Sequence, residues 1–425
     1  MVLDRRERST QKLDWITVFL FSICVLLGWI NIFAAVYDPE KHQSIFDFSI
    51  NSGRQVVWMC TALIIIIMIM VIDFKFYEYF SYLIYGLVIF ALIAVRLLAR
   101  DINGQHAWLE IGTFRLQPSE FAKFATALAL AKYLGKSGVR FTDFETQLKA
   151  SAIIAFPMLL ILWQNDTGSA LVFTSFVLVL YREGLSPWFL IVGFLSAVIF
   201  LLALTVEKYI LFSGLGIITL IAISLLRKKT FKKIALVAFC ASFVAFMIWS
   251  VPFIFFKILQ PHQRNRILVL LNPDVDKQHF GYNLSQSMIA IGSGGFAGKG
   301  FLEGTQTKLN YVPEQSTDFI FCTVGEEHGW IGGLIVISLF VSLLMRLVFL
   351  AERQKDKFAR IYGYSVASIL FFHFLINISM TIGLMPVIGI PLPFLSYGGS
   401  SLWSFTILLF IFLKLDSHRM QVLTR

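Results

Sequence analysis

Residues 233–256, KIALVAFCASFVAFMIWSVPFIFF, run without a break into residues 257–315, KILQPHQRNRILVLLNPDVDKQHFGYNLSQSMIAIGSGGFAGKGFLEGTQTKLNYVPEQ. The first stretch has about the number of apolar residues that a helix needs to cross roughly 30 Å of hydrocarbon. The second gathers arginines, carboxylates and a glycine cluster. It is the one long polar interval in a sequence that is otherwise a series of apolar runs.

Working outward, further apolar runs occupy 15–36, 55–72, 78–97, 119–134, 149–164, 168–182, 186–206, 209–226, 329–350, 361–384 and 401–414. With 233–256 they predict an all-α, polytopic transmembrane bundle of about twelve spans, because hydrocarbon tolerates only backbone that satisfies its own hydrogen bonds. A chain 57% hydrophobic and only 15% charged leaves no room for a large soluble domain. The net charge of +10 sits in short clusters between the apolar runs, which excludes a continuous nucleic-acid face. Those clusters instead fix orientation. KYLGKSGVRF, YREG, RKKTFKK and RLVFLAERQKDKFAR all fall on one side, with both termini in the cytoplasm. Residues 98–118, 257–315 and 385–400 are then expected on the outer face. The four cysteines lie in or beside apolar runs with no CxxC spacing, so neither a disulfide framework nor a zinc site is implied.

Five stretches bear on the chemistry. In HAWLEIGTFRLQPSEFAK (106–123), Trp108 suits the membrane interface and Arg115 is a fixed cation beside it. Pro118 opens a helix whose Glu120 and Lys123, three residues apart, share a face and pair, as a structural knot or as part of a functional cavity. In WQNDTGSA (163–170), Asp166 caps the next helix or completes the turn. In the long interval, Arg264, Arg266, Lys299 and Lys308 are cations suited to phosphate oxygens, and Asp274 and Asp276 follow Pro273. An interfacial helix is expected at about 283–292. The glycine run 292–300 fails the Walker pattern: Ser293 stands where its first glycine belongs, and Gly300 follows the lysine where Ser or Thr should. GEEHG (325–329) lacks metal-binding spacing, and its two glycines suggest close helix packing. GLMPVIGIPLPFLSYGGSS (383–401) is too broken for helix and should line a protein-covered cavity.

Taken together, RLQPSEFAK, WQNDTGSALV, GYNLSQSMIAIGSGGFAGKG, LEGTQTKLNYVPEQSTDFIF, GEEHG and GIPLPFLSYGGSS resemble the shape, elongation, division and sporulation (SEDS) proteins, from about residue 55 to 415. The GTQT…VPEQSTDFIF run leans to the rod-shape branch of that family over the division branch. The resemblance implies a peptidoglycan glycosyltransferase that polymerises lipid II outside the cytoplasmic membrane, with a class B penicillin-binding protein, a transpeptidase, as partner. It places the required carboxylate in a Pro-x-x-Asp arrangement before Gly-Tyr, which here is Asp276, with Asp274 the fallback. Arg264, Arg266 and Lys299 become candidates for the leaving pyrophosphate, with a divalent cation (Mg or Mn) as an optional helper and no cofactor required. Asp166, Glu120, Lys123, Arg115 and Trp108 match motif positions that shape the substrate cavity. The chain departs from the family's usual ten spans by an expected extra hairpin within 186–232, and it lacks the proline that commonly follows the catalytic Asp. A lipid II flippase, or a scaffold without enzymatic activity, is the competing expectation.

Overall fold

The computed structural model describes residues 13–38, 44–99, 106–111, 114–226, 230–259, 261–271, 280–309 and 311–419. Asp274 and Asp276 therefore lie outside the described residues. The chain divides into two compact units, residues 1–184 with 283–425, and residues 185–282.

The first unit is a helix bundle. Its helices are α1 (Trp15–Val36), α2 (Asn51–Val71), α3 (Phe74–Tyr79) and α4 (Ser81–Leu98). A two-stranded hairpin comes next, β1 (Leu109–Ile111) and β2 (Phe114–Leu116), then α5 (Pro118–Gly135), α6 (Phe144–Trp163), α7 (Thr167–Val172) and α8 (Phe176–Arg182). The second unit holds α9 (Pro187–Thr205), α10 (Lys208–Ser224), α11 (Phe231–Phe253) and α12 (Pro261–Leu271). α13 (Phe280–Ser293) leads back into the first unit, which closes with α14 (Ile320–Glu352), α15 (Lys357–Thr381) and α16 (Gly399–Ser417).

Nine of the described helices are long and apolar enough to cross a membrane, and two shorter apolar helices span Thr167–Arg182 and Lys208–Ser224. α5 makes up the dozen expected from the sequence. It is long enough, but its charged residues Glu120, Lys123 and Lys132 set it apart from the nine. α5, α15 and α16 form the buried centre, whereas α2, α4 and α6 expose most of their apolar surface, as lipid-facing helices do. In the second unit α9 buries little and α10 nothing. A helix apolar all round with so few protein contacts is matched to hydrocarbon, not to water.

Local chemistry sets the ends. Asp14 caps α1 by accepting from the Thr17 amide at 3.0 Å, and it pairs with Arg346 of α14. Burial pushes the Asp14 carboxyl up, but hydrogen bonds from Arg346 and Thr17 outweigh it and hold the group at about 2. At the same end Asp416 accepts from Arg353, from Gln354 at 2.6 Å and from Arg419 at 3.3 Å. Pro252 lies in the last turn of α11, and a π-helical turn, Ile254–Ile258, succeeds it.

The polar interval 257–315 is not a plain loop. It contains α12 and α13, the latter two to three residues longer at its start than the interfacial helix read from the sequence, and then a chain of turns.

Candidate functional site

At the end of the first unit opposite Asp14, four segments meet around Asp166. The carboxylate caps α7, with Oδ1 accepting from the Ser169 amide at 3.0 Å, while Oδ2 accepts from Gln117 Nε2 at 2.9 Å and Ser119 Oγ at 3.1 Å. Asp166 thus ties the turn before α7 to the start of α5, where Pro118 occupies the first helical position. Ser400 of α16 joins from a third side, donating to the Arg115 carbonyl and accepting from the Gln117 amide. Arg115 lies on β2 opposite Glu110, its Nε 3.4 Å from that carboxylate, with most of the side chain in the open. Trp108, just before β1, is half-buried.

One turn further into α5 lies a charged knot. Lys123 Nζ donates to Glu120 Oε2 at 2.7 Å and contacts His373 Nε2 at 2.9 Å, and all three side chains are buried. His373 Nδ1 is 3.2 Å from the Pro391 carbonyl, which can only accept. Nδ1 therefore carries the proton, and Nε2 accepts from the ammonium. The Phe405 ring completes the enclosure, 4.7 Å from Nζ and edge-on to the imidazole. This satisfies an intramembrane lysine from three directions, which is what makes its position tolerable. The Glu120–Lys123 pair matches the sequence expectation. His373 is a site residue that sequence reading missed.

A double-mutant cycle on Glu120→Gln and Lys123→Met is expected to give a coupling energy in the range of about 0.5–3 kcal/mol, with the double variant more stable than the additive sum. Thermal unfolding in detergent measures it, and additive losses would show that the pair is not a unit.

The irregular segment 383–398 is held against this knot by backbone-directed side chains. Asn377 Nδ2 reaches the Asp318 carbonyl at 2.8 Å and the Ile390 carbonyl at 2.7 Å, and Ser396 Oγ donates to the Thr317 carbonyl at 2.6 Å. Broken backbone at membrane depth is thus covered by protein, as required.

The glycine run does a different job from phosphate binding. α14 breaks at Gly329, whose φ is 61°, and the run docks into the break. Lys299 N donates to the Glu326 carbonyl at 3.1 Å, Gly300 N to the Glu327 carbonyl at 3.0 Å, and Trp330 N to the Gly295 carbonyl at 3.0 Å. A Cβ on Gly298 would overlap the Glu327 carbonyl, and one on Gly329 would overlap the Gly298 amide. Glu326, fully buried, then organises the turns beyond. Its Oε1 accepts from Lys299 Nζ at 2.7 Å and from the Thr305 and Gln306 amides at 2.8 and 2.9 Å. Its Oε2 accepts from the Thr307 amide and hydroxyl, both at 2.9 Å. Glu327 is also buried, near the Leu302 and Gly304 amides but without a hydrogen bond of good geometry. The adjacent carboxylates in GEEHG were the available sequence signal for this clamp.

Lys299, a cation expected at the pyrophosphate, thus spends its ammonium on Glu326 and on Thr305 Oγ1, with a quarter of the side chain exposed. Arg264 lies on α12 in the second unit, its guanidinium 6.0 Å from the Phe256 ring. Arg266, further along the same helix, is half-buried. Among the described residues no group of three or more His, Cys, Asp or Glu is placed to hold a metal ion.

Apolar helices in this number, packed on buried ion pairs, define a multi-pass integral membrane protein. The sequence profile of the FtsW/RodA/SpoVE cell cycle proteins matches residues 14–213 and 208–421, and the chain belongs to that family. It is 30% identical to the peptidoglycan glycosyltransferase RodA of Treponema pallidum, over 98% of this chain and all of that protein. It is 32% identical to the peptidoglycan glycosyltransferase MrdB of Escherichia coli K12, over 86% of this chain and 85% of the relative. Among solved structures, a chain from a peptidoglycan synthase complex described as coordinating polymerization and crosslinking superposes with a TM-score of 0.71 at 27% identity, covering 96% of this chain and 99% of the other. A mutant of the Thermus thermophilus rod shape determining protein RodA superposes at 0.63 with 25% identity, covering 96% and 98%.

Proposed function

We propose that this chain is a peptidoglycan glycosyltransferase that polymerises lipid II into β-1,4 glycan strands for cell elongation and shape. The observation that carries the reading is the end-to-end similarity to relatives named for that activity, together with the rod-shape protein among the structural neighbours.

In this reading Asp276 accepts the proton of the 4-hydroxyl of the acceptor's terminal GlcNAc as that oxygen attacks the anomeric carbon of the donor MurNAc. Undecaprenyl pyrophosphate departs from the opposite face. A single displacement inverts the α-linked donor to the β product and needs one base, without a second catalytic carboxylate. Arg264 and Arg266 are the candidate cations for the leaving pyrophosphate, with a divalent cation as an optional addition; Lys299, expected there from the sequence, is held by Glu326 and serves only if that pair opens. Asp166 and the Glu120–Lys123–His373 knot hold α5, α7 and α15 in fixed relation, and so support the cavity more than they contact the sugar.

The Lys/Arg clusters between spans support cytoplasmic termini and an active site on the outer face. The added hairpin within 186–232 contributes two spans, so the orientation of all later spans is preserved. A class B penicillin-binding protein transpeptidase is the partner this reading calls for. The named complex among the neighbours couples polymerization to crosslinking, which supports it.

Purified protein incubated with labelled lipid II, with and without the transpeptidase, tests the proposal. Glycan strands are the expected product. Transport of lipid II between leaflets without strand formation would favour a flippase, and neither activity would leave a scaffold.

A further inference from the structure

At the end of the first unit that carries Asp14 and Asp416, one cavity of about 200 Å³ has three cations and a single carboxylate in its lining. Its walls come from the segment after α5, from the end of α8 and from the first turn of α15. They supply Arg140, Glu183, Lys357 and Arg360 above the buried apolar side chains of Leu134 and Phe141. A single water needs about 10–15 Å³ of such space, so the cavity accommodates a hydrated phosphate group.

The charges do not cancel. Glu183, the one carboxylate in the lining, is used by Arg360, whose Nη2 donates to its two oxygens at 3.0 and 3.1 Å. No ion pair reaches Arg140 or Lys357 among the described residues. Asp356, beside Lys357, turns its side chain to the Ala359 amide as the cap of α15. Arg360 spends Nη2 on Glu183, and its Nε is buried with no acceptor. The positive end of the α15 helix dipole lies at the same place.

We propose that this cavity binds a phosphate-bearing anion, supplied in the membrane by the headgroup of an anionic phospholipid. Two uncompensated cations at the rim face the phosphate, and the apolar floor of Leu134 and Phe141 suits the start of a glycerol backbone, the arrangement by which basic pockets between spans hold lipid headgroups. The site shares no residue with those assigned to polymerisation, and it rests on the membrane reading alone.

Full-length protein, delipidated in a neutral detergent, is titrated with phosphatidylglycerol and with uncharged diacylglycerol and read by native mass spectrometry. Replacing Arg140 and Lys357 together by Ala is expected to weaken phosphatidylglycerol binding about tenfold or more. K75A with K149A, the same charge loss at this end but away from the cavity, is expected to leave it within about twofold. Displacement by excess inorganic phosphate would show that the phosphate group suffices, and resistance to it that the lipid's glycerol and chains also contribute. The proposal is overturned if both double variants weaken binding equally. It is equally overturned if the unmodified protein binds phosphatidylglycerol no better than diacylglycerol. Arg140 and Lys357 are exposed, so unfolding is not the expected result of changing them, and matched melting temperatures check this.

Discussion

Asp276→Ala is expected to lower the rate of lipid II polymerisation by about 10²–10⁴-fold, the usual contribution of a positioned general base. The loss should fall on turnover. In the proposed displacement the proton moves only as the acceptor hydroxyl attacks, so the interaction is made in the transition state and lipid II binding should change little. Asp276→Asn is expected to be nearly as inactive, because an amide keeps the shape but cannot take a proton. Asp274→Ala, two residues away and outside the Pro-x-x-Asp register, should cost far less. Single-turnover kinetics with labelled lipid II, with and without the proposed transpeptidase partner, measure all three. Normal glycan synthesis by the Asp276→Ala variant would remove Asp276 from the mechanism and, if Asp274→Ala were the inactive one, move the base there.

How far the sequence carried the reading depended on whether a feature was local. The run 15–36 coincides with α1 because an apolar stretch and its cap, Asp14, lie side by side in the chain. Pro118 and Asp166 likewise announced their helix starts through local chemistry. The start of α14 was harder. The span read from 329 matches the helix that follows the break at Gly329; the turn of helix before it, from Ile320, was not read, because the polar demand of Glu326 is met by the segment 299–307, some twenty residues earlier. His373, a lone imidazole in the apolar run FFHF, gave no sign of its partner, since Lys123 is 250 residues distant. The β1–β2 hairpin was invisible because three-residue strands are too short to show alternation. Asp276 enters the proposal only through the family resemblance, its motif being a short pattern in a polar stretch with no periodicity to anchor it.

Glu326→Ala is expected to be the most damaging single change in the described part of the first unit, destabilising it by about 3–5 kcal/mol, the cost of breaking a buried pair by removing one partner. The geometry decides why the figure is large. One carboxylate satisfies Lys299 Nζ, the amides of Thr305, Gln306 and Thr307, and both threonine hydroxyls. Hydrogen bonds to a charged group are worth about 1.5–3 kcal/mol each, but they share one acceptor and cannot be summed. Lys299, a quarter exposed, can turn to water and recover part of its loss. Thr307 is fully buried and its amide cannot, so without Glu326 the turn must open or keep an orphaned donor. Glu326→Gln should rescue little, because half of the acceptor becomes an NH₂ that faces donors. Thermal unfolding should therefore fall for both variants, and amide exchange should rise across residues 299–307 before the rest of the unit opens. Exchange there at the native rate would mean that the Gly298–Gly329 backbone docking holds the segment by itself, and that the carboxylate is not its anchor.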